Sequence, residues 1–101
     1  MSPRSLAFTP EARRDLQSAV SWYEDAVRGL GSEFVRAVDA ASAEILRFPE
    51  AASPVHHDVR KRVLRRFPYS LLYKIEAESI IVLACFHHRR DPTAWRRDGS
   101  N

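Results

Sequence analysis

The chain has 101 residues, of which 45% are hydrophobic and 29% are charged, and its formal net charge is +3. This composition predicts one folded domain over residues 1–101 and excludes a disordered chain. The longest apolar run, Ile80 to Phe86, is too short to span a bilayer, so we expect no membrane segment.

The positive charge belongs to the second half of the chain. Residues 1–50 contain six Lys or Arg and eight Asp or Glu, whereas residues 51–101 contain ten and five. A basic half predicts an anionic partner, either a nucleic acid or an acidic protein. The N-terminus has no apolar signal region and Cys85 has no second cysteine to pair with, so we expect a cytoplasmic protein.

The first predicted elements are a short strand and an amphipathic helix. Residues 4–8 are the strand candidate, and Thr9 followed by Pro10 is typical of a helix N-cap and first helical position. Apolar residues then recur at steps of three and four: Ala12, Leu16, Ala19, Val20, Tyr23, Ala26, Val27 and Leu30. Gly29 and Gly31 mark the end of this helix.

A second helix is predicted to end at Pro49. Its apolar stripe consists of Phe34, Val38, Ala41, Ile45 and Phe48, widened by Val35, Ser42 and Leu46. The connection RGLGS is so short that the two helices are expected to form an antiparallel hairpin.

Three strands are predicted after a loop over residues 49–58. They are RKRVLRR (60–66), YSLLYKI (69–75) and SIIVLACFH (79–87), and the last is apolar on both faces, which is typical of a central, covered strand. The order predicts an α+β fold of two layers, β-α-α-β-β-β, with the N-terminal strand and the helical hairpin on a small, mainly antiparallel sheet. A short C-terminal helix is also possible. The helical hairpin would cover one face of the sheet, and no predicted element covers the other face.

Four segments carry a resemblance to a known family: FTPEARRDLQSAVSWYE (8–24), GLGSEFVRAVDAA (29–41), RRFPYSLLYKI (65–75) and ACFHHRRDPTAW (84–95). With them the chain resembles the RelE/ParE superfamily of type II toxin–antitoxin toxins, and most closely its ParE-like branch, often described as plasmid-stabilisation proteins. The resemblance implies a bacterial toxin without a cofactor that poisons DNA gyrase and is neutralised by a cognate antitoxin in a hetero-oligomer. The alternatives are a RelE-like, ribosome-dependent mRNA endoribonuclease and a non-toxic binding relative.

Under the ribonuclease alternative, the resemblance implies a catalytic set of Lys61, Arg65, His88 and Arg90. An imidazole such as that of His88 titrates near neutrality and would act as acid or base, and arginine would hold the charge that develops on the phosphate.

Two departures from the ribonuclease branch favour the ParE-like branch. The ribonucleases usually carry an arginine after the tyrosine of the third strand, but Ser70 follows Tyr69 here. They also tend to carry a tyrosine near the C-terminus, where Trp95 is the nearest aromatic residue.

A second candidate site is the basic segment, residues 60–66, whose five cations are Arg60, Lys61, Arg62, Arg65 and Arg66. They would bind phosphates or the carboxylates of an antitoxin, or they would only keep an edge strand soluble. Trp22 and Tyr23 are adjacent, so they cannot both face the core, and an exposed Trp22 would anchor a partner. The residues predicted to contact an antitoxin or target are Trp22, Arg60, Arg62, Arg66, Arg89 and Trp95.

The four histidines do not predict a metal site. His56 and His57 are adjacent, as are His87 and His88, and neighbouring strand residues point to opposite faces. The spacing typical of zinc ligands is absent from the sequence.

Overall fold

The computed structural model describes residues 4–91, and these form two helices and five strands. In chain order the elements are β1 (Ser5–Phe8), α1 (Pro10–Ala26), α2 (Leu30–Arg47), β2 (Pro54–His56), β3 (Val59–Val63), β4 (Tyr69–Ile75) and β5 (Ser79–His87). The predicted α+β fold is confirmed. The predicted C-terminal helix and Trp95 lie outside the described residues. Over residues 4–91, neither helix is long and apolar enough to cross a membrane.

The sheet has the strand order β1-β5-β4-β3-β2. β1 runs parallel to β5, and the other neighbours are antiparallel, as predicted. The prediction that residues 79–87 form the central strand is wrong in one respect, because the middle position belongs to β4. β5 lies between β1 and β4, and β1 pairs with its first four residues only, from Ser79 to Val82.

Two strand boundaries differ from the prediction. Residues 54–56, predicted as loop, form β2 at the sheet edge, where a proline and an irregular register hide the strand pattern. β3 ends at Val63 rather than at residue 66. Arg66 has a φ of 71°, a left-handed turn that redirects the chain and brings Phe67 into the core.

The beginning of α1 and the helical hairpin follow from short-range hydrogen bonds. Thr9 Oγ1 accepts a hydrogen bond from the Ala12 backbone N–H at 3.1 Å, as the predicted N-cap requires. At the other end of α1, the Glu24 carboxylate accepts from the backbone N–H groups of Gly29 and Gly31, each at 3.0 Å. Gly29 has a φ of 90°, which favours glycine.

The helices cover one face of the sheet, called here the helix face, and the opposite face is called the far face. The core on the helix face contains four aromatic rings, those of Tyr23, Phe34, Phe67 and Tyr69. The centroid of the Tyr23 ring lies 4.9–6.0 Å from the centroids of the other three. A smaller cluster of Val59, Leu72 and Ala84 lies on the far face.

The predicted apolar stripes are wider than the buried ones. On α2, the row Phe34, Val38, Ala41 and Ile45 is buried, whereas Val35 and Leu46 are exposed. Residues one position away are rotated by about 100° around the helix axis, so they face solvent. Val27 and Phe48, at the helix ends, are also exposed.

β5 contributes to the clusters on both faces of the sheet and contains a β-bulge. Leu72 pairs with Ala84 and Tyr73 pairs with Val82, so Leu83 is an extra residue in β5. The bulge changes the alternation, and Val82 and Cys85, three residues apart, both belong to the core on the helix face. A sequence period of two does not reveal such a shift.

Candidate functional site

Three polar or aromatic residues of α1 form one wall of a surface cleft. Arg14, Ser18 and Trp22 are spaced by four residues, so they lie in one row on the helix, beside the buried row that contains Ala19. Trp22 is 59% exposed while Tyr23 packs in the core. The prediction that these neighbours face different directions is confirmed.

Arg90 forms the opposite wall and contacts both α1 and β4. Its Nη2 donates a hydrogen bond to the Tyr69 hydroxyl at 2.8 Å. Its guanidinium carbon lies 5.1 Å from the centroid of the Trp22 ring, within the range of a cation–π contact. The space between these walls, the α1–β5 cleft, has a volume of about 410 Å³.

The floor of the α1–β5 cleft consists of buried groups that are not reactive. Cys85 is buried, and burial, with the nearby carboxylates of Asp15 and Asp91, raises the pKa of its thiol to about 12. The thiol is therefore protonated near neutral pH, and Cys85 acts as a small buried hydrophobic residue rather than as a nucleophile. Burial also raises the pKa of Tyr69, and Arg90 partly offsets that increase.

The turn after β5 is held by the His87 side chain. Its Nδ1 accepts hydrogen bonds from the backbone N–H groups of Arg89 at 3.1 Å and Arg90 at 3.3 Å. Burial lowers the pKa of His87, and the positive charge of Arg90 lowers it further. A neutral imidazole is the form that can accept at Nδ1, so the electrostatics and the hydrogen bonds agree.

Asp91 closes the same turn. Its backbone N–H donates to the His87 carbonyl oxygen at 3.1 Å, and its carboxylate accepts from the His87 backbone N–H at 3.4 Å. The side chain thus pairs with backbone, as a capping residue does, and closes the turn that carries Arg90.

His88 points to the other side of the sheet. Its Nε2 lies 2.7 Å from the Ser70 hydroxyl, and Ser70 is fully buried. Tyr69 and Ser70 are neighbours in β4 and therefore face opposite sides, which explains why Arg90 and His88 are separated. Lys61 lies opposite Leu72 and so shares the far face with Ser70 and His88.

The four residues of the predicted catalytic set are therefore divided. Lys61 and His88 belong to the far face, whereas Arg90 contacts Tyr69 and Trp22 on the helix side. Arg65 follows β3 and approaches Glu44 of α2, with 3.4 Å between Nη2 and Oε1. In this arrangement, Arg90 does not join His88 around a common point.

Two arginines of the basic segment lie on the helix face of β3. Arg60 is paired with Tyr73 and Arg62 with Leu71, both core residues on that face. Arg60 donates hydrogen bonds to the carbonyl oxygens of Glu50 and Ala52 in the loop after α2.

The other cations of the basic segment also differ in their partners. Arg62 forms an ion pair with Glu44, and Arg66 forms one with Glu33 at 2.8 Å. The Lys61 side chain makes neither a hydrogen bond nor an ion pair with residues 4–91. Much of the segment's charge thus holds α2 and its following loop against the sheet.

Sequence reasoning missed Arg14 and Tyr69 as members of the cleft. The signal for Arg14 was available, because Arg14, Ser18 and Trp22 repeat at the helical step of four. Nothing in the sequence indicated that Arg90 would reach Tyr69, since that contact depends on how β4 and β5 pair. In the histidine pair at residues 56 and 57, the ring centroids lie 4.1 Å apart, but residues 4–91 contain no group of three or more His, Cys, Asp or Glu that could hold a metal ion.

One protein-family model matches most of the chain. The family model for the ParE toxin of type II toxin–antitoxin system, parDE, matches residues 6–92. The fold is similar to a chain in the structure of the chromosomal ParDE TA system from P. aeruginosa, with a TM-score of 0.64, 20% identity, and 84% of this chain and 96% of that chain covered.

A second solved structure with the same fold is the toxin–antitoxin complex RelBE2 from Mycobacterium tuberculosis. The TM-score is 0.60 at 25% identity, with 86% of this chain and 93% of that chain covered. No curated protein matches the chain.

Proposed function

This chain belongs to the ParE toxin family of type II toxin–antitoxin systems, and from that premise we propose that it arrests growth by binding and poisoning DNA gyrase. The family match over residues 6–92 is the observation that carries this proposal. The proposed target is engaged in the cytoplasm through surface complementarity, without a cofactor and without hydrolysis.

Two features of the site support a binding mechanism over RNA cleavage. Ser70 stands where the ribonuclease branch usually carries an arginine, and its hydroxyl is occupied by His88. Arg90 is engaged with Tyr69 and Trp22 on the helix side, away from His88. A ribonuclease would need its acid, its base and its cations within reach of one phosphate.

The residues predicted to contact a partner differ in how exposed their side chains are. Trp22, Arg66 and Arg89 have exposed side chains, so a partner can reach them. Arg60 and Arg62 are half-buried and engaged within the chain, and a partner would have to displace their present contacts.

We propose further that a cognate antitoxin neutralises the chain in a hetero-oligomer. Both structural neighbours come from toxin–antitoxin systems, which supports a protein partner of this kind. The test is co-expression with the short reading frame beside the gene. We expect growth to recover and the two proteins to co-purify; growth arrest that no neighbouring reading frame relieves would contradict the partner proposal.

The target is tested by two assays run in parallel on the purified chain. We expect inhibition of plasmid supercoiling by DNA gyrase and intact mRNA on translating ribosomes. His88→Ala should retain growth arrest on induced expression. If the chain instead cleaves mRNA and both His88→Ala and Arg90→Ala abolish cleavage and arrest, the RelE-like alternative is correct. If induction causes no growth defect, the chain is a non-toxic binding relative.

A further inference from the structure

We propose that the α1–β5 cleft is a receptor for an acidic side chain of the antitoxin, with Arg14 and Arg90 as the carboxylate-binding pair and Trp22 as the apolar wall. This inference rests on the proposed function, because it assumes an antitoxin partner. It adds the place and the chemistry of one contact, neither of which follows from family membership.

The distribution of free donors across the cleft favours a carboxylate. The Arg14 side chain is exposed and makes no hydrogen bond or ion pair within residues 4–91. Arg90 uses Nη2 on the Tyr69 hydroxyl, and its other guanidinium nitrogens make no hydrogen bond with residues 4–91. A guanidinium fork presents five N–H donors, so Arg90 can bind a carboxylate without releasing Tyr69.

Two carboxylates also line the cleft, and each already accepts a hydrogen bond from a backbone N–H. The Asp15 carboxylate accepts the backbone N–H of Cys85 at 3.1 Å, and the Asp91 carboxylate accepts the backbone N–H of His87. Both acids are thus turned toward backbone donors of β5 and the turn after it. The other polar or aromatic side chains that a partner can reach in the cleft are those of Arg14, Ser18, Trp22 and Arg90.

The cleft is also preorganised. Arg90 is fixed at two points, by Tyr69 and by the face of Trp22, and the turn that carries it is held by His87 Nδ1. A side chain that is already ordered loses little conformational entropy on binding. An aromatic and an arginine side by side are the residue types that most often carry interface energy.

The basic segment has fewer arginine donors available to bind an antitoxin carboxylate than the cleft has. Arg62 and Arg66 already pair with the α2 acids Glu44 and Glu33, so an antitoxin carboxylate would have to displace an existing one. Contact with Arg14 and Arg90 displaces no carboxylate from either side chain. The cleft, about 410 Å³ in volume, also has room for an acidic side chain together with a neighbouring apolar one.

The experiment uses the antitoxin identified by the growth-rescue test described above. Its affinity for the wild-type chain is compared with its affinity for Arg14→Gln, Arg90→Gln and Trp22→Ala. Arg28→Gln is the matched control, because Arg28 is an exposed cation on the α1 side of the hairpin that does not line the cleft. Circular dichroism and thermal unfolding establish that each variant is folded.

We expect each of the three cleft variants to weaken binding by roughly 10-fold or more and the Arg28 variant to change it less than about twofold. For one Glu or Asp of the antitoxin, replacement by Gln or Asn should weaken binding to the wild-type chain. The same replacement should cause no additional loss of affinity when the toxin already carries Arg14→Gln or Arg90→Gln. This inference is overturned if both arginine variants bind the antitoxin within twofold of wild type. It is also overturned if the loss of affinity is additive for every acidic residue of the antitoxin, and in both cases the toxin–antitoxin assignment stands. The absence of any rescuing antitoxin would instead overturn the partner proposal itself.

Discussion

The side-chain carboxylate of Asp15 accepts a hydrogen bond at 3.1 Å from the backbone N–H of Cys85, 70 residues further along the chain. Cys85 follows the β-bulge in β5, where regular strand pairing is interrupted. Thr9, the N-cap of α1, complements this contact, because its hydroxyl donates to the Leu83 carbonyl oxygen at 3.3 Å. Helix α1 therefore satisfies backbone groups of β5 that lie beyond Val82, the last residue that β1 pairs with.

We expect Asp15→Ala to lower the free energy of unfolding by about 1–3 kcal/mol, because the buried Cys85 N–H loses an acceptor. Urea denaturation followed by circular dichroism measures this loss. Asp25→Ala is the control, since Asp25 is an exposed acid on the same helix and should change stability by less than about 0.5 kcal/mol. Equal effects from the two substitutions would contradict the role given to Asp15.

Gly31 is required by the close approach of the two helices. A Cβ at this position would lie 2.9 Å from the Val20 carbonyl oxygen and 3.0 Å from Glu24 Oε1. Gly31→Ala should therefore cost about 1–3 kcal/mol of stability through steric overlap, although alanine is the better helix former. Ser32→Ala, one exposed position away, is the control and should be neutral. A melting temperature for Gly31→Ala at or above wild type would refute this prediction.

Because side chains alternate along β3, we expect substitutions at two neighbouring cations to differ in their effect on stability. Arg62→Gln removes the half-buried ion pair with Glu44 and should destabilise the fold by about 1 kcal/mol. Lys61→Gln, on the far face and without an ion pair in residues 4–91, should leave stability within about 0.5 kcal/mol of wild type. Thermal unfolding at low and high salt distinguishes them, because only the Arg62 effect should decrease as salt increases.

Stability should fall in alkaline solution because of the Cys85 thiol. Its pKa rises to about 12 in the folded chain from an ordinary value of 9.0, so between these values the unfolded chain has lost a proton that the folded chain keeps. The stabilising contribution is fully present below pH 9 and is lost as the pH rises toward 12. We expect a loss of about 1 kcal/mol between pH 8 and pH 10, measured by urea denaturation.

Cys85→Ala provides the comparison for the alkaline effect. It removes the titrating group, so the variant should lose less stability between pH 8 and pH 10 than the wild-type chain does. The raised pKa values of Tyr23 and Tyr69 act in the same direction and should leave a smaller residual slope at higher pH. If the variant loses as much free energy of unfolding between pH 8 and pH 10 as the wild-type chain does, Cys85 is excluded as the cause.

Local patterns predicted most of the architecture. The Thr9–Pro10 start of α1 and the ranges of β4 and β5 were predicted residue for residue, because N-caps and alternating strands have strong sequence patterns. β2 was missed, since a three-residue edge strand beginning with proline has no such pattern. The overlong prediction for β3 has a similar cause, because a run of arginines does not indicate where the chain turns at Arg66.

The sequence by itself determined the family, the order of the elements other than β2 and the presence of the basic segment, since those depend on residue types and their spacing along the chain. Only the tertiary structure decided which cations are available. Strand pairing directs Arg60 and Arg62 toward α2 and Lys61 away from it, and the bulge and turn of β5 bring Arg90 to Trp22 while His88 faces Ser70. The physical reason is that adjacent strand residues point to opposite faces, so a one-residue shift in register changes which partner each side chain meets.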